Sequence, residues 1–145
     1  MATAFDVAHY ILKKHGPMSA MKLQKLVYYS QVWSLVWDDS PIFENPIQAW
    51  ANGPVVPDLY RVHRGEFQVD KDTFAAHAKG TLTDVQIDTT NLVLKFYGDK
   101  SMQWLSDQTH AEAPWKNARK GLADGERGRR VITQEAMAEY YSSLS

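Results

Sequence analysis

Apolar residues recur at three- and four-residue steps along most of the chain, the spacing of a helix face rather than of a strand. The densest stretch runs from Ser19 to Trp37, where Leu23, Leu26, Val27, Ser30, Trp33 and Trp37 form one row. Met21, Lys25, Tyr28, Val32 and Leu35 form a second, also mostly apolar. A helix apolar over most of its circumference needs neighbours on several sides. With Lys22, Gln24, Lys25 and Gln31 inside it, and fewer than about 20 residues, it is a poor membrane span. The pattern predicts a buried central helix that the other elements pack around.

The remaining elements follow from local signals. Thr3 and Asp6 resemble a capping box, and Phe5, Ala8, Ile11, Leu12 and His15 keep helical spacing up to Gly16-Pro17, which predicts a first helix over 4–15. Ser19 caps the central helix, and Asp38-Asp39-Ser40-Pro41 ends it near Trp37. Two short apolar pieces, Ile42-Phe43 and Ile47 to Trp50, flank a turn at Glu44-Asn45-Pro46 and predict a small β-ribbon near residues 41–50. Ala51 to Pro57 reads as a rigid loop, and Pro57 suits the first position of a helix through about His63. The polar segment 66–80 gives no clear pattern. Thr83 with Gln86 opens a helix that Gly98 stops, Ser101 opens a short one, Pro114 starts another turn, 121–128 is glycine-rich loop, and Thr133 caps a terminal helix. No repeat or linker interrupts the series. The expected fold is mainly α, a single-domain helical bundle spanning 1–145 around the buried central helix.

A chain of 145 residues can bury a core without crosslinks. It has no cysteine, which excludes a disulfide framework and thiolate chemistry. The first residues lack the basic start, long apolar run and cleavage site of a secretory leader, so a cytoplasmic location is expected. A formal charge of −1 argues against wholesale coating of nucleic acid. His110-Ala111-Glu112 is similar to the His-x-Glu of zinc deaminases, but their other ligands come from a Pro-Cys-x-x-Cys segment. The five histidines, His9, His15, His63, His77 and His110, form no recognisable ligand series. No zincin, nucleophile-elbow or phosphate-loop motif is present. The expectation is therefore no catalytic residue, no metal and no cofactor.

Three blocks carry a family resemblance: Lys22 to Tyr29 (KLQKLVYY), Ala49 to Tyr60 (AWANGPVVPDLY) and Thr109 to Trp115 (THAEAPW). In this order and spacing the chain resembles the Panacea-domain antitoxins, which include SocA-like and phage-associated GepA-like proteins. The resemblance implies an antitoxin that neutralises a cognate toxin by direct protein–protein binding. An alternative within that biology is an adaptor that delivers the toxin to a ClpXP-type protease. A different class of reading is a small hydrolase or transferase using His63, His110 and Glu112.

Candidate partner-binding residues fall in three places. Lys22 and Lys25 mark an exposed window on the central helix. Asn52, Gly53 and Pro54 form a loop that either reads a partner or simply needs its glycine. Arg61 and Arg64, with Lys116, Arg119 and Lys120, form a positive face suited to an acidic protein if the fold joins them, and Lys116, Arg119 and Lys120 are expected to point outward. Leu23, Leu26, Tyr28, Trp50, Tyr60, His110, Pro114 and Trp115 read as structural, with Trp115 packed inward. Helical spacing also favours core positions for Trp33 and Trp104. Homo- and hetero-oligomers stay open.

Overall fold

The computed structural model describes residues 1–145 and is mostly helical. The order is α1 (Ala4–His15), β1 (Met18–Ser19), α2 (Ala20–Trp37), β2 (Gln48–Trp50), β3 (Gly53–Val55), α3 (Pro57–His63), β4 (Gln68–Val69), α4 (Asp84–Tyr97), α5 (Met102–Ala111), α6 (Ala113–Ala118) and α7 (Gln134–Ser142). No helix is long and apolar enough to cross a membrane.

Local chemistry sets the helix starts. The Thr3 main-chain N–H donates to Asp6 Oδ2 at 2.8 Å, and Ser19 Oγ accepts from the Lys22 N–H at 3.2 Å. Thr83 and Gln86 form a reciprocal box at 3.2 and 2.9 Å. Ser101 and Thr133 cap α5 and α7. Each side-chain oxygen supplies an acceptor to a first-turn N–H that the helix itself cannot satisfy.

Helix α2 runs through the hydrophobic core and packs against α1, α4, α5 and α7. Leu23, Leu26, Val27, Tyr28, Tyr29 and Val32 are sealed from solvent. So are Gln24, Lys25, Ser30, Gln31 and Ser34, each of which finds a main-chain partner: Lys25 donates to Asn52 O, Ser30 to Leu26 O and Ser34 to Ser40 O, and the two glutamines bond to irregular main chain. Gln31 accepts from the Ile42 N–H at 2.8 Å and donates to the Phe43 carbonyl at 2.7 Å. Gln24 does the same for Val56, accepting at 2.8 Å and donating at 3.3 Å. These amides act as a substitute strand for segments with no ladder, which satisfies buried main-chain groups at those points.

The β structure differs from the sequence-based expectation. The hairpin pairs β2 with β3, Trp50 opposite Gly53, and turns at Ala51-Asn52. Ile42 and Phe43 are fully buried but stay outside any strand, since Gln31 takes their polar groups. A second pair, β1 with β4, joins residues 18–19 to 68–69 and so brings part of the polar 66–80 segment into order. Ile132 and Ala49 extend the hairpin edge, through Ile132 N–H to Ile47 O and Ala49 N–H to Arg130 O, both at 2.8 Å.

Candidate functional site

The three sequence blocks meet around the β2–β3 hairpin. Lys25, expected in an exposed window, is 1% exposed and donates from Nζ to the Asn52 carbonyl at 2.9 Å. Burial lowers its pKa from 10.5 to about 8, because the charged form loses its hydration. Gly53 makes room for it. At φ 127°, a Cβ on Gly53 would stand 2.8 Å from Lys25 Cε and 3.0 Å from Nζ. His110 stacks on Trp115 at 4.1 Å, and Trp115 Nε1 donates to the Trp50 carbonyl at 2.8 Å. Burial holds the His110 pKa below the usual imidazole value, the Asn52 main chain opposing this and nearby Lys25 adding to it. Its Nε2 is buried without a hydrogen-bond partner.

Deeper in, Glu112 is buried and organises three phenols. Its Oε1 accepts from Tyr29 OH at 2.7 Å and from Tyr141 OH at 2.6 Å. The Tyr141 proton being so used, Tyr28 is the donor in the 3.0 Å contact between Tyr28 and Tyr141 hydroxyls. Gln108 Nε2 donates to Oε2 at 3.1 Å. Burial first, and then the neighbouring Glu112, push the Tyr29 pKa far above 10.0, and burial does the same for Tyr28 and Tyr141. The phenols are neutral donors fixed on a carboxylate.

These positions recast the candidate residues. Leu23, Leu26 and Tyr28 are core, Pro114 is buried, and Trp50, Tyr60, His110 and Trp115 are half-buried. Gly53 and Pro54 are buried, and Lys22 is half-buried, its Nζ donating to the Gly98 carbonyl at 2.8 Å. Arg119, expected to point outward, is 6% exposed. Its guanidinium lies 5.2 Å from the Trp115 ring and donates to the carbonyls of Ala49, Ala123 and Glu126. The helix ends at Ala118, so Arg119 follows a turn rather than the helical direction that spacing implied. Lys116, Lys120, Asn52, Arg61 and Arg64 are exposed, with Arg61 paired to Asp58 at 2.6 Å. His63, His110 and Glu112 share no hydrogen bond: His63 is bound to Gln24 at 3.0 Å, and Glu112 to the tyrosines. No group of three or more His, Asp or Glu side chains is placed to hold a metal ion.

Two open features flank this interior. A basic cleft of about 490 Å³ joins Asn52, Tyr60 and Arg64 to Arg127 and Arg129 of the glycine-rich loop. An apolar groove of about 730 Å³ lies between the C-terminal half of α2, α4 and α5, with Glu112 at its floor. Trp33 and Trp37 stack at 5.0 Å, and Trp33 Nε1 donates to Tyr97 OH at 3.1 Å. Tyr97 in turn stacks on Tyr29 at 4.1 Å. The outer wall is uncovered: Trp37 is 48%, Leu92 51%, Phe96 64% and Leu144 57% exposed. Trp104, expected in the core, is 38% exposed.

The groove had a signal in the sequence. Leu92 and Phe96 are one position behind Val93 and Tyr97, so α4 carries two adjacent apolar rows. Only Val93 and Tyr97 reach the core. With Asp88 and Lys95 also on this helix, a wider apolar stripe than one core face requires is the mark of a second contact.

A family model described as antitoxin SocA-like, Panacea domain, matches residues 23–116, more than half of the chain. No curated protein and no solved structure matches it. The matched span runs from Leu23 to just after Trp115 and encloses the hairpin, the Lys25–Asn52 contact and Glu112 with Tyr28, Tyr29 and Gln108, while Tyr141 of the same cluster lies beyond it. The chain belongs to the SocA-like antitoxin family, by its Panacea domain.

Proposed function

We propose that this protein neutralises a cognate toxin by binding it directly, without catalysis, and that the apolar groove is the surface it uses. The observation that carries this reading is the row of large side chains left uncovered beside a well-packed core: Trp37, Leu92, Phe96 and Leu144 are each about half exposed or more. Contiguous exposed aromatic and aliphatic surface is a mark of protein interaction sites, and buried aromatics supply most of the binding energy of such interfaces. Family membership supplies the kind of partner. The basic cleft, with Asn52, Arg64, Arg127 and Arg129, offers a second contact, to an acidic patch on the same toxin, that steers association.

The test is co-expression of the chain with the product of the adjacent open reading frame, read as growth rescue and as co-purification. Leu92→Asp with Phe96→Asp changes two exposed positions, so the melt should hold while rescue and co-purification are lost. Changing Arg64, Arg127 and Arg129 to Gln should slow association and make it less salt-dependent without abolishing capture. If the groove variant rescues fully and the arginine variant does not, the basic cleft is the docking surface. If the wild-type chain captures no toxin, direct neutralisation is wrong; rescue lost only in a ClpX-deficient host assigns the adaptor role.

A further inference from the structure

Glu112 is 4% exposed and has no cationic partner: the two ion pairs of the molecule are Arg61 with Asp58 and Lys100 with Asp99. Three hydrogen bonds reach its carboxylate, two on Oε1 and one on Oε2. A carboxylate offers about four acceptor positions, so Oε2 retains one. Both Glu112 and its Oε2 partner Gln108 line the apolar groove. Trp33, Trp37, Tyr97 and Trp104 line the same groove. Aromatic faces and a desolvated carboxylate are each attractive to a cation, and together they favour one that brings its own apolar stem. Buried charges in folded proteins are ordinarily paired. Within this chain nothing completes the pair, since Lys95 on the groove wall is exposed and forms no ion pair, and Lys100 sits over the Trp104 ring at 5.2 Å, beside Asp99.

We propose that the groove takes a lysine or arginine side chain from an otherwise apolar segment of the partner, its stem against the tryptophans and its charge on Glu112. This rests on the toxin-binding reading for the identity of the partner, but the recognition chemistry belongs to the isolated chain and is tested there. A purely apolar segment would use the same walls and ignore the floor.

The experiment titrates the full-length protein with n-hexylguanidinium and, separately, with n-hexanol, following the indole N–H resonances of the tryptophans. Saturable shifts of the Trp33, Trp37 and Trp104 signals, with a midpoint for hexylguanidinium at least about tenfold below that for hexanol, are expected. Glu112→Gln should erase that preference while keeping hexanol binding. Should Glu112→Gln fail to fold, the Gln108 side-chain amide, which donates to Glu112 Oε2, gives the second reading in the wild-type protein: at equal saturation it should shift more with hexylguanidinium than with hexanol, and equal shifts overturn the inference. Equal midpoints for the two probes in the wild-type protein, or a preference that survives Glu112→Gln, overturn the inference. A chain that prefers the cation but captures no toxin loses the toxin reading alone. One that captures toxin but treats the probes alike loses only the cation site.

Discussion

Lys25 Nζ donates to the main-chain oxygen of Asn52 at 2.9 Å and meets no carboxylate. An ammonium group held this way keeps one polar contact in place of its hydration shell, and removing its proton relieves part of that loss.

The consequence is a pH dependence with two limbs. The folded pKa of Lys25 is lowered to about 8 from 10.5. For a depressed value, the associated stability is present above the unfolded pKa and is lost as pH falls through the folded one. Between those values the unfolded chain binds a proton that the folded chain does not, so stability rises with pH by up to about 3 kcal/mol. Tyr28, Tyr29 and Tyr141 have the opposite sign: their folded values lie above 10.0, so the stability they contribute is complete below that pH and declines above it. Urea melts at about pH 7, 9 and 11 should show a maximum on the alkaline side, and Lys25→Met should abolish the rise from about pH 7 to 9. An identical rise in Lys25→Met would assign it to another group.

Gly53→Ala should be costly for two separable reasons. The positive φ of 127° strains any L side chain, and the new methyl would meet Lys25 Cε at 2.8 Å and Thr109 Oγ1 at 3.4 Å. The combined loss should be about 2–4 kcal/mol. Shortening the lysine removes only the collision, so adding Lys25→Ala to Gly53→Ala should recover part of the difference between the two single backgrounds in a double-mutant cycle. Strict additivity would show that the lysine and the hairpin glycine do not touch in solution.

Trp115→Ala removes a stack on His110, a hydrogen bond to Trp50 and the ring beneath Arg119. Being half-buried, it should cost about 2–4 kcal/mol, somewhat less than a fully enclosed tryptophan. Arg119→Ala should cost about 2 kcal/mol or more, because the carbonyls of Ala49 and Glu126 lose a charged donor. Lys116→Glu with Lys120→Glu changes exposed positions only and should leave the melt within about 0.5 kcal/mol. If Arg119→Ala melts like the wild type, its bonds to the 123–126 loop do not stabilise the fold.

The sequence by itself determined the helices, because their signals are local. Thr3 with Asp6, Ser19, Thr83 with Gln86, Ser101 and Thr133 each act within three residues, so the expected starts coincide with the observed ones. It also determined that α2 packs on several sides, since apolar residues recur over most of its circumference, and its three blocks carried the family. Tertiary structure decided the rest. The hairpin formed at 48–55 rather than 41–50 because Gln31, far from obvious as a strand substitute, took the polar groups of Ile42 and Phe43. Lys25 and Arg119 turned inward because distant carbonyls, those of Asn52 and Ala49, stand ready to receive them. Trp37 and Trp104 kept their helical spacing and still stayed exposed. Periodicity reports which residues share a face, whereas only the packed neighbours decide whether that face is covered.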